Sequence, residues 1–160
     1  MTAPALLVLR LVLAVVLVAH GAHTLFGTFG GPGVGPGGLR ETATHFNAIG
    51  LNPGPLMAFL GGFIQLSAGV LIGSGLITRW ASLAMLGYLG IVIWKEHAPW
   101  GFFLNWVGDQ TRGHGMEYAV VMAGALVCLL LAGAGDWSLD GRRSKSAAAR
   151  AAGRARLRSR

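Results

Sequence analysis

The sequence predicts an all-α integral membrane protein, a four-helix transmembrane bundle with both termini cytoplasmic. Three observations carry that reading. Of 160 residues, 53% are hydrophobic and only 12% are charged, against about 25% charged in soluble domains, and mean hydropathy is +0.58. Four apolar stretches, residues 5–25, 55–77, 78–94 and 116–134, are each long enough to cross a hydrocarbon core of about 30 Å, which takes roughly 17 to 25 helical residues. The charge is segregated: eight Lys or Arg and no acid follow Gly141, while the rest of the chain holds five basic and six acidic residues.

Each element follows from local signals. The first span is expected to be retained rather than cleaved, because residues 1–4 carry no positive side chain and the apolar run is longer than the roughly 7 to 15 residues of a signal-peptide core. The breaker "GGPGVGPGG" at 30–38 ends it. The connection 27–53 is not a fifth span: "LRETATHFNAIGL" suits a short amphipathic surface helix, since Phe46, Ile49 and Leu51 are too few to cross. "NPGP" at 52–55 leads into the second span, where Ala58-x-x-x-Gly62 and Gly69-x-x-x-Gly73 let helices approach closely. The same small residues leave a homo-oligomer open. A tight turn holding Arg79 joins spans two and three. Span three ends in "KEH" (95–97), and span four opens on "HGME" (114–117). Residues 1–140 form the folded domain, and 141–160 a basic, disordered cytoplasmic tail.

An even number of spans puts both termini on one side, and the tail with Arg79 outweighs Arg40, Lys95 and Arg112 in basic charge, so that side is cytoplasmic. The tail reads as a topology signal resting on anionic headgroups. Nucleic acid is not expected as a partner, because no aromatic side chains are interleaved with the basic ones. Cys128 is the single cysteine, so dithiol chemistry within the chain is excluded, while quinone-linked or partner-supplied redox chemistry stays open.

Polar residues gather at the outer ends of spans one, three and four. His20-x-x-His23 and His114-x-x-Glu117 each place a pair on one helical face. Histidine and carboxylate at membrane depth bind transition metals, relay protons or hold a quinone headgroup, and are also tolerated as solvated interface residues. The candidate catalytic residues are His20, His23 and Glu117, with Glu117 fixing an imidazole tautomer or accepting its proton. Arg10, Gln65, His97 and His114 are the candidate cofactor-binding residues, and no metal site is expected. Arg10 either snorkels to headgroups or pairs functionally with Gln65 inside the bundle.

The order and spacing of these marks resemble the DoxX family of small four-helix membrane proteins over about residues 7–140: Arg10, "HGAHTLFG" (20–27), "AIGL" (48–51), "GVLIGSGLITRWAS" (69–82), "GFF" (101–103), "GHGMEY" (113–118) and "GAGDWSLD" (133–140). The family usually has Lys where this chain has Thr24, and an acid in span two where it has Gln65. The resemblance implies a component of a membrane oxidoreductase, since the related DoxD resembles a subunit of a thiosulfate:quinone oxidoreductase. It also implies a soluble or membrane redox partner, with quinone as the candidate cofactor. A non-catalytic membrane scaffold for a soluble partner is the alternative.

Overall fold

The computed structural model describes residues 2–30, 35–109 and 111–158. Residues 31–34 of the glycine-rich breaker and residues 159–160 of the tail lie outside them. Six α-helices are formed, with no strand among the described residues: α1 (Ala3–Phe26), α2 (Leu39–Ala48), α3 (Gly54–Ser74), α4 (Thr78–Val92), α5 (Glu117–Ala132) and α6 (Leu139–Arg158). The 15 residues of α4 run on through a π-helical turn, Ile93–His97, and a 3₁₀ turn, Ala98–Trp100.

Among the described residues two helices, α1 and α3, are long and apolar enough to cross a membrane, where the sequence predicts four spans. The others are shorter as regular helix. The π-helical turn nevertheless extends α4 to roughly 30 Å, and the 16 residues of α5 give about 24 Å. The expected amphipathic helix in 27–53 is α2. The tail, expected as disordered, is helical in α6, in keeping with the alanines at 147–149, 151 and 152, which have the highest helix propensity.

α1, α3, α4 and α5 surround one core built on Leu13, Leu17, Ile72, Met85, Leu126 and Leu129. α1 lies along most of α3, and α4 packs between α3 and α5. Glycine sets the α1–α3 distance: a Cβ on Gly21 would stand 2.5 Å from the Leu66 nitrogen, and one on Gly69 2.8 Å from Val18 Cγ2. Backbones meeting this closely gain the dispersion contacts that hold helices together in lipid. The outer surface is apolar, with Val15, Trp80, Val121 and Leu131 each more than 70% exposed.

Arg10 organises one end of the molecule. It is 1% exposed and donates from Nε to Ile72 O (2.9 Å), from Nη1 to Ala134 O (2.8 Å) and Trp137 O (3.0 Å), and from Nη2 to Gly73 O (2.8 Å). These carbonyls lie in the last turn of α3 and the α5–α6 connection, where helix ends leave acceptors unpaired. At the same end Asp140 accepts from Thr78 N–H at the start of α4 (3.3 Å), and Arg79 donates to Leu131 O near the end of α5 (3.1 Å).

Candidate functional site

At the other end a cavity of about 620 Å³ opens between the helices. All five histidines of the chain line it: His20 and His23 from α1, His45 from α2, His97 from the π-helical turn and His114 from the α4–α5 connection. Its floor is apolar, formed by Leu17, Met85 and Met122, and Gln65, Tyr88, Glu96 and Tyr118 add polar groups to its walls. From Met85 to His97 the lining follows about 18 Å of helix, so the cavity grades from a polar rim to an apolar interior. Volumes of roughly 300 to 1,000 Å³ with a few convergent polar groups are those of small-molecule sites.

Hydrogen bonds assign the histidine tautomers, because a carbonyl oxygen only accepts and a backbone N–H only donates. His23 Nδ1 donates to Thr28 O (2.9 Å) and His97 Nδ1 to His114 O (2.9 Å). Each neutral ring therefore keeps a lone pair on Nε2. His114 Nδ1 instead accepts from Asn105 N–H (3.3 Å), which leaves its proton on Nε2 when neutral. His45 Nε2 lies 2.6 Å from Glu96 Oε2, in the range of a charge-assisted bond.

Of the residues expected from sequence, His20, His23, Gln65, His97 and His114 come together around this cavity. Two do not. Glu117 turns to the α4–α5 connection, where its Oε1 accepts from Leu104 N–H (3.1 Å), and it holds no histidine tautomer. Arg10 is ten residues below His20 on α1, about 15 Å away, so it forms no pair with Gln65. Four polar lining residues, His45, Tyr88, Glu96 and Tyr118, lie outside the sequence-derived set. His45 sits in a connection rather than at a span end, and Tyr88 and Tyr118 look like ordinary apolar helix positions. The available signal for His45 was that α2 carries one of only five histidines.

The surrounding segments explain how these groups are held. Asn105 bridges the α4–α5 connection, donating to Asp109 O (2.7 Å) and Arg112 O (2.8 Å). In the same exposed segment Thr111 N–H and its hydroxyl hold the Asp109 carboxyl below its ordinary range. α2 is docked on α3 by Ala43 and Phe46 packing against Ala58 and by Gly54 N–H donating to Asn47 Oδ1 (2.7 Å). Thr24 Oγ1 lies 3.5 Å from Gln65 Oε1, so the two positions at which the chain departs from the DoxX pattern face each other. Among the described residues no three His, Cys, Asp or Glu groups converge to hold one metal ion.

Fold and site together define a small helical membrane protein with a histidine-rimmed cavity. The DoxX family model matches residues 5–98, and the chain belongs to the DoxX family. It is similar to an uncharacterized membrane protein of Mycobacterium tuberculosis, at 32% identity over 150 residues, covering 91% of this chain and 85% of that one. No solved structure matches the chain.

Proposed function

We propose that the chain is the membrane subunit of a redox-linked complex, crossing the bilayer four times with both termini cytoplasmic, and that its cavity receives the headgroup of a quinone. The observation that carries this reading is the convergence of all five histidines on one amphipathic cavity. The donor set fits both forms of such a ring. His114 Nε2–H and the Tyr88 and Tyr118 hydroxyls donate to carbonyl oxygens, while the Nε2 lone pairs of His23 and His97 accept from hydroxyls.

A bound quinone supplies two-electron, two-proton chemistry. The chain supplies the rest: the apolar floor excludes water, the tyrosines orient the ring, and His23 and His97 take or return a proton at Nε2. Imidazole suits the task because its ordinary titration lies between pH 5 and 8. Electrons come from a partner. Glu117 acts as a positioning residue, fixing the connection that carries His114. The basic helix α6 favours a second reading, in which the protein anchors a soluble partner and its cavity is not used.

The test is saturable binding of a short-tailed quinone to protein in lipid nanodiscs. His97→Ala and His114→Ala should each weaken binding about 10-fold, equivalent to about 1.4 kcal/mol. Glu117→Gln, which can still accept from Leu104 N–H, should bind almost normally. Absence of saturable binding by the wild-type protein in folded nanodiscs would sink the quinone reading in favour of the anchor.

A further inference from the structure

The cavity has a mouth and a flank, and they are built differently. Across the mouth lies α2, whose Phe46 is 8% exposed and whose His45 is bonded to Glu96 on the π-helical turn at 2.6 Å. That bond ties a helix resting on α3 to the end of α4 and spans the opening.

The flank is the seam between α1 and α5. α1 lies along most of α3, yet it meets α5 over only a few residues. His20 of α1 and Tyr118 of α5 both line the cavity beside this seam, and both are exposed, Tyr118 by 45%. The sparse contact between α1 and α5 leaves an opening between these two side chains. The surface around this one is apolar. Val12, two turns below His20 on the same face of α1, is 58% exposed, and Val121, one turn beyond Tyr118, is 71% exposed. His20 lies about 9 Å short of the end of α1 and Tyr118 in the first turn of α5, so the gap opens just inside the outer end of the bundle, beside its apolar surface. Among the described residues no hydrogen bond holds the His20 ring.

We propose that the cavity is loaded sideways from the bilayer, through a portal between α1 and α5 framed by His20 and Tyr118, while the His45–Glu96 bond keeps α2 closed over the water-facing mouth. The ligand is then a lipid-dissolved molecule with a hydrogen-bonding head and an apolar remainder. A water-soluble substrate of similar size would be excluded. This rests on the cavity being the ligand site and adds its route of entry.

Single cysteines at His20 or Tyr118, in a Cys128→Ala background reconstituted in bilayers, test the portal. A membrane-dissolved pyrene maleimide should label both. A charged, impermeant thiosulfonate should label them at least ~10-fold more slowly than a reference cysteine at Thr111, because charge is excluded from hydrocarbon. Equal labelling by the charged reagent at both positions would overturn lateral entry. If His20→Cys fails to fold, Tyr118→Cys decides alone. Adding Glu96→Ala should raise charged labelling of Tyr118→Cys about 10-fold by freeing α2; an unchanged rate in folded protein would remove the latch from the proposal. Labelling needs no ligand, so a protein that shows this pattern but binds no quinone overturns only the function proposed above. One that binds quinone but labels from water overturns only the portal.

Discussion

Arg10 places its guanidinium on four backbone carbonyls, using the fork geometry that Lys lacks. Arg10→Lys keeps the charge but concentrates its donors on one nitrogen, so it should lower the melting temperature in detergent while leaving quinone affinity unchanged. Arg10→Ala strips the donors from all four carbonyls and should cost about 3 to 5 kcal/mol in unfolding measurements. Loss of ligand affinity with stability intact would instead restore Arg10 to the ligand site. Its placement was hidden from the sequence for a physical reason: its partners are main-chain carbonyls, which every residue carries. The Thr24–Gln65 contact was half visible, because both departures from the family pattern stand out as residues. That they form one contact across α1 and α3 depends on helix packing. Two neutral groups there leave this contact, whose Gln65 lines the cavity, without the charge that a Lys and an acid would bring.

The π-helical turn Ile93–His97 shows what single residues do to an element. Such turns insert an extra residue into a helix and are frequent at functional sites. Here the turn delivers Glu96 and His97 to the cavity together, one toward α2 and the other toward the α4–α5 connection. Deleting Trp94, which is 67% exposed and touches little of the core, should regularise the helix and rotate Glu96 and His97 by about 100°. The expected outcome is a protein of near-normal thermal stability, measured by circular dichroism, with quinone affinity reduced at least about 10-fold. Unchanged affinity would mean that the turn is incidental to the site. Helix existence was legible from apolar runs and breakers, and α2 from its amphipathic pattern. The irregular end of α4 was not, since "KEH" reads equally well as the last turn of an ordinary helix. For the same reason His97 and His114 were found as neighbours of a membrane interface, but the bond between them was not.

At the scale of the whole molecule, charge and chemistry occupy opposite ends. The start of α1, the α3–α4 turn and the start of α6 share one end: Arg10 reaches Ala134, and Asp140 N–H donates to Gly75 O (3.0 Å). The basic tail therefore leaves from the end opposite the histidine cavity. The positive-inside rule counts basic residues close to the spans, and in the proposed topology the tail and Arg79 face the cytoplasm and the cavity faces outward. A fluorescent reporter that folds only in the cytoplasm, fused after Arg160, should be active in bacterial cells, and a phosphatase that folds only outside should be inactive at the same position. A cysteine at Thr111, with Cys128→Ala, should label from outside in intact cells. Replacing all the basic residues from Arg142 to Arg160 with Gln should produce a mixed population, because Arg79 alone would then oppose Arg40, Lys95 and Arg112. Phosphatase activity of the wild-type fusion would invert the molecule. The histidines would then exchange protons with the cytoplasm rather than with the outside.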